Sequence, residues 1–202
     1  MGFQHLNSDS GPRPISTRPP AVVSTPSDWA NQTLHFTPDP QQSEILDSPA
    51  TRVLLCCTRQ WGKSTVTAIR ALHYALHHPN ALILCVSPVK RQSALFLTKA
   101  RHFLKILNIP SRTDPRDSLS LLLPNGSALI GLPAIEANTR GFSAVDFLIL
   151  DEAARIPDSA YHAIRPFLAT TNGLLWMLST PHGESGFFYD EWHKHAEHWT
   201  RL

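Results

Sequence analysis

Long apolar runs are missing from this sequence, and cysteine is scarce: there are three, Cys56, Cys57 and Cys85. No run approaches the roughly 20 residues that a membrane span needs, so no membrane partner is expected. The N-terminal stretch has neither the basic start nor the apolar core of a signal peptide. All three thiols sit in apolar, strand-like runs, which favours buried reduced cysteine over a disulfide or a metal site and fits a reducing cytosol. Neither sign of charge dominates. A formal net charge of +2 is too small to argue for nucleic acid from global electrostatics, so any such contact must come from a local patch. With 42% hydrophobic and 17% charged residues, the 202 residues suffice for the core of one domain of ordinary size.

One further absence is local. The stretch Val53–Thr65, VLLCCTRQWGKST, follows the phosphate-loop pattern except that Cys57 stands where the first glycine is usual. An apolar run, a polar turn and a helix start are what a nucleotide triphosphate requires. N–H groups of the turn and helix start face the phosphates, and the helix dipole favours their charge. Lys63 supplies a cation for the β- and γ-phosphates, Ser64 a hydroxyl for Mg²⁺, and Gly62 lets the backbone approach closely. A lone Gly-Lys-Ser-Thr also suits an ordinary helix N-terminus with a solvated lysine.

The first 27 residues are rich in Pro, Ser and Thr and read as a disordered or extended tail, leaving 28–202 as the folded domain. Asp39 or Thr37 can cap a short helix with Pro40 in its first turn. Gln42 on that helix carries the donor and acceptor that match the N6 and N7 edge of adenine, or is simply a solvated helix glutamine. Lys63 to about His77 reads as a helix, stopped at His78-Pro79-Asn80, and Ala81–Val86 as a strand covered on both faces. Strand, helix, strand implies a right-handed crossover into a parallel sheet. An amphipathic helix is expected over Lys90–Leu107, and a hairpin over Leu119–Leu123 and Ala128–Leu132 around Asn125-Gly126. Val145–Leu150 is a third strand delivering Asp151 and Glu152 at its end. Two adjacent carboxylates are costly without a cation, which points to Asp151 holding Mg²⁺ and Glu152 polarising the attacking water. An acidic helix cap accounts for one of them only. A helix follows over Asp158–Leu168. A fourth strand, Leu174–Leu178, ends in Ser179-Thr180-Pro181, either a γ-phosphate sensor or a strand terminator. Phe187 to about His198 reads as a last helix. His73 and His77, and the group His193, His195 and His198, lack the three or four converging ligands of a zinc site.

Several of these features, in order, resemble the ATPase half of the large terminase subunit of tailed bacteriophages. They are Asp39-Pro40-Gln41-Gln42, Thr58–Thr65, Ser87-Pro88 with Arg91-Gln92, Asn125-Gly126-Ser127, Arg140-Gly141, Phe147–Ala153, Ile164-Arg165-Pro166 and Leu178–Pro181. The resemblance implies an α/β fold of the P-loop NTPase kind (ASCE or RecA-like), doubly wound, with a mainly parallel sheet and a β-hairpin addition. It implies Mg²⁺-dependent ATP hydrolysis that drives double-stranded DNA into a procapsid, in the cytoplasm of a bacterial host. Its expected partners are the portal protein, the small terminase subunit and further copies of the chain in a ring. Carried over, Gln42 reads adenine. Arg59, Gln60, Trp61, Gly62, Lys63, Ser64 and Thr65 form the phosphate loop. Asp151 and Ser64 hold the metal, Glu152 activates water, and Ser179, Thr180 and Pro181 couple hydrolysis to movement. Arg140 is similar in placement to an arginine acting on the neighbouring subunit's site, its competing role being a DNA phosphate contact. Family members continue into a nuclease domain, which these residues are not expected to supply. Helicase-like DNA-dependent ATPase activity and a non-catalytic truncated prophage remnant are the rival readings.

Overall fold

The structure, a computed structural model, describes residues 24–136 and 141–202. The expected tail therefore lies outside the described residues up to 23, and its boundary after Ser27 shifts. Pro26–Leu34 is a helix, α1, capped by the Thr25 hydroxyl, which accepts from the Asp28 N–H. Ser27 is buried and donates from its N–H and hydroxyl to the Asp47 carboxylate, at 2.8 and 2.5 Å. Asp47 ends the next helix, α2 (Pro40–Asp47), so this pair fastens α1 to the domain. Asp39 caps α2 in a reciprocal box with Gln42.

The chain then runs β1 (Arg52–Cys56), α3 (Lys63–His77), β2 (Leu82–Ser87), α4 (Lys90–Ile106), β3 (Arg112–Asp114), β4 (Asp117–Leu122) and β5 (Ala128–Pro133). It continues with β6 (Phe147–Asp151), α5 (Asp158–Ile164), β7 (Leu174–Ser179), α6 (Phe187–His193) and β8 (Thr200–Arg201). All eight strands form one sheet in the order β3-β4-β5-β2-β6-β7-β1-β8. β3 pairs antiparallel with β4 and β4 with β5; the other pairings are parallel.

The continuously apolar strands are covered on both faces, as their composition requires. Val53 and Leu55, Phe147 and Ile149, and Trp176 and Leu178 face the core under α1 to α4. Leu54, Leu148 and Leu150, and Leu175 and Met177 face a second core with α5 and α6. The expected hairpin forms, and β5 joins the sheet as the parallel neighbour of β2. At its turn Gly126 has φ +86°, and a Cβ there would collide with Asn80.

Three expectations change in detail. The helix of Asp158–Leu168 gives way to a 3₁₀ turn over Arg165–Leu168, because Pro166 has no N–H to continue it. The last helix stops at His193, with a 3₁₀ turn over Ala196–His198. The short edge strands β3 and β8 add to the strands expected. Among the described residues no helix is long and apolar enough to cross a membrane. Because β1, β2, β6 and β7 run parallel, Cys56, Ser87, Asp151 and Ser179 all end at one edge of the sheet, where such folds place their ligands.

Candidate nucleotide and metal site

The connection from β1 to α3, residues 57–62, explains the missing glycine. Cys57 is 9% exposed, packs into the core under α3, and is absent from the positions with positive φ. Its N–H donates to the Ser179 carbonyl at 3.2 Å. A side chain that points inward from ordinary backbone needs no glycine. The unusual conformations fall later in the loop, at Gln60 (φ 70°) and Gly62 (φ 94°). Gly62 is required twice over, because a Cβ there would also press on the Gln42 amide at 3.2 Å.

That contact shows what Gln42 does in this state. Its Oε1 accepts from the Asp39 N–H at 3.1 Å and its Nε2 donates to the Trp61 carbonyl at 2.8 Å. Gln42 thus ties the start of α2 to the loop, and one amide hydrogen and one lone pair are left for a ligand. The Trp61 side chain packs against the core rather than entering the site. Lys63 opens α3 and is buried; its Nζ donates to the carbonyls of Cys57 at 3.0 Å and Thr58 at 2.9 Å.

The acids arrive from β6. Asp151 is 7% exposed, and its carboxyl is pushed up to about 6 by burial and by Glu152; the Glu152 N–H, Lys99 and Lys63 oppose the rise. Glu152 adopts left-handed backbone, φ 53° and ψ 45°, uncommon for a residue with a Cβ. Its side chain makes no cap bond to the 3₁₀ turn Ala153–Arg155 that follows, so it is not a helix cap. The carboxylate instead accepts from the Thr180 hydroxyl at 3.3 Å. Ser179 Oγ accepts from the Ala154 N–H at 3.3 Å, joining the end of β7 to the turn after β6.

Two cavities meet here. The outer, about 220 Å³, is lined by Arg59, Gln60, Gly62, Lys63, Ser64, Lys99, Glu152 and Thr180. The inner, about 230 Å³, is lined by Ser64, Gln92, Leu95, Phe96, Lys99, Asp151 and Glu152. Most of the residues singled out in the sequence therefore converge on one place. Gln42, Trp61, Thr65 and Ser179 line neither cavity, and Pro181 lines a separate one with Cys56 and Trp192. Arg140 lies outside the described residues.

Ser64, Asp151 and Glu152 offer oxygen ligands only, the donor set of a hard divalent cation such as Mg²⁺. Two carboxylates in a largely buried place fit such an ion. The sequence does not single out Lys99 or Gln92 as site residues. Lys99 reads there only as part of the polar face of α4, and a helical pattern does not say which cavity a polar residue enters. Elsewhere His73 stacks on His77 at 4.1 Å with the Trp29 edge against it. Among the described residues no three His, Cys, Asp or Glu gather as a metal site.

The family model for the terminase large subunit, T4likevirus-type, N-terminal, matches residues 54–202. The terminase large subunit of Thermus virus P23-45 is 28% identical over 182 residues, covering 81% of this chain and 38% of that protein. The large terminase ATPase domain of Thermus phage P74-26 superposes with a TM-score of 0.73 at 28% identity, covering 83% of this chain and 74% of that one. The large terminase of another thermophilic bacteriophage, in complex with ATP-gamma-S, shares the fold at 15% identity and a TM-score of 0.68, over 81% of this chain and 43% of that one. The chain thus spans little over a third of the curated relative's length.

Proposed function

Since the chain belongs to the terminase large-subunit family, its N-terminal ATPase part, we propose that it hydrolyses ATP to drive packaging of double-stranded DNA. The observation that carries this reading is the meeting of Lys63, Ser64, Asp151 and Glu152 at one edge of the sheet. Lys63 leaves the loop carbonyls for the β- and γ-phosphates, and the loop N–H groups and the start of α3 hold the rest of the chain of phosphates. Ser64 and Asp151 are the residues that would hold Mg²⁺. That ion would supply charge neutralisation to the phosphates when bound.

Glu152 takes the proton of the attacking water, a role supported by the Thr180 hydroxyl bonded to its carboxylate, which holds its orientation. The same bond gives a route for coupling. A change of charge or position at Glu152 is felt at once by Thr180, and through Ser179 by the end of β7. Asp151 and Glu152 thereby divide the work between charge placement and proton transfer. Arg59 lines the outer cavity and suits the phosphates; Arg140 is assigned to the neighbouring subunit's site. The portal protein, the small subunit and a ring of copies are the partners that the reading entails.

Steady-state ATPase measured against protein concentration, with and without DNA, tests it. Turnover that rises steeply with concentration is expected, with Lys63→Ala abolishing nucleotide binding or turnover. Glu152→Gln should keep binding and lose hydrolysis by about 100-fold or more. Arg140→Ala should spare monomer binding and suppress the concentration-dependent part. Hydrolysis unchanged in Lys63→Ala would overturn the proposal.

A further inference from the structure

α4 brings two polar side chains to the site that the reading above leaves without work. Gln92 and Lys99 are seven residues apart, two turns of helix, and so lie on one face. Both line the inner cavity beside Asp151 and Glu152, and Lys99 also lines the outer one. The residues common to both cavities are Ser64, Lys99 and Glu152. On the nucleotide-binding reading, the outer cavity is the phosphate cradle and the inner one belongs to the acids. The boundary between them is then where the terminal phosphoryl group meets its attacking water.

Lys99 Nζ donates to the Thr65 hydroxyl at 3.1 Å, which uses one of its three hydrogens and leaves two for a ligand. Lys63 lines the same outer cavity, held by the loop carbonyls of Cys57 and Thr58. Gln92 supplies an independent sign that this wall is built for a polar ligand: its Oε1 is buried and has no hydrogen-bond partner. A buried acceptor of that kind is costly unless something fills its need.

We infer that Lys99 is a second lysine of the site, contacting the terminal phosphate of bound nucleoside triphosphate from α4 in the same subunit, in addition to Lys63. This deepens the proposed function and rests on it. A cation there distinguishes triphosphate from diphosphate, because the diphosphate has nothing at the boundary of the two cavities. It also places a charge from the same subunit beside the transferred group, ahead of any arginine from a neighbour.

Calorimetric titration of the full chain with AMP-PNP and with ADP, both with Mg²⁺, tests the assignment. Lys99→Met should weaken AMP-PNP about tenfold, the weight of one charge-assisted hydrogen bond, and leave ADP within about twofold. Retained ADP binding in the same variant shows that the fold and the loop are intact. Lys99→Arg should recover most of the preference for triphosphate. Equal weakening of both nucleotides would mean that Lys99 only braces the loop through Thr65, and unchanged binding of both would mean it does nothing; either result overturns the inference. If the wild-type chain bound neither nucleotide, the nucleotide reading itself would fail, and this inference with it.

Discussion

Asp151 shows how much of this site's chemistry is set by burial. Its carboxyl titrates near 6 instead of 3.8, chiefly through desolvation and next through Glu152. For an acid whose folded value is raised, the associated stability is complete below pH 3.8 and is lost as pH rises through about 6. Above that range the fold holds a carboxylate that burial disfavours, a penalty that the cation of the proposed function would relieve. Asp151→Asn should therefore melt higher than wild type at pH 8 without divalent ions, by about 5 °C, and show little difference at about pH 3.5. It should also lose the Mg²⁺-dependent part of stabilisation by ADP. Thermal melts at the two pH values decide the matter, and a lower melting point at pH 8 would mean the carboxylate already has an adequate partner. The neighbouring Glu152 adds a second departure from ordinary structure, since its left-handed backbone aims the carboxylate at Thr180. Sequence pattern locates both acids through the apolar strand before them, but φ at Glu152 is decided by packing and cannot be read there.

At the scale of elements, the strands with continuous apolar runs and the helices with clear periodicity are legible in the sequence. α3 begins at Lys63 and ends at His77, as its stop signal requires. What escapes is short or set by distant contacts. β8 has two residues, too few for any periodicity, and is held by Leu54 and by the Cys56 N–H on the Leu202 carbonyl. α1 hides in a Pro- and Ser-rich stretch, and Asp47, twenty positions away, makes Ser27 part of the domain. The packing of α1 on α3 carries its own pH dependence. His73, against Trp29, is pushed down to about 4 by burial first, then by His77, Arg70 and His78, with Asp47 opposing. A histidine lowered on folding contributes stability that is full above about 6.5 and lost as pH falls toward 4. His73→Leu should accordingly remove part of the fall in urea midpoint between about pH 7 and pH 4.5. An identical fall in both proteins would place the acid sensitivity elsewhere.

For the whole molecule, the decisive feature is sheet order. β7 lies between the loop strand β1 and the acid strand β6, so its end can touch both the loop and the acids. Cys57 bonds back to Ser179, while Thr180 reaches Glu152, so Ser179-Thr180 forms a bridge between the loop and the acids. Sequence alone suggests which residues belong together, since each ends an apolar strand, but not that the strand bearing Ser179 is the one in the middle. Nor does it reveal the contribution of α4, because Lys99 looks like any other polar residue on an amphipathic helix, and Gln92, though part of the motif that carries the resemblance, has no role there.

On the proposed function, one complex of nucleotide with a divalent cation sits between the start of α3 and the end of β6. A crystal structure grown with Mn²⁺ and ATPγS, with data collected at the manganese edge, tests it most directly. A single anomalous peak is expected beside Ser64 Oγ on the side of Asp151, with the β- and γ-phosphates against Lys63. A nucleotide bound elsewhere on the chain, or a manganese peak remote from both Ser64 and Asp151, would contradict it.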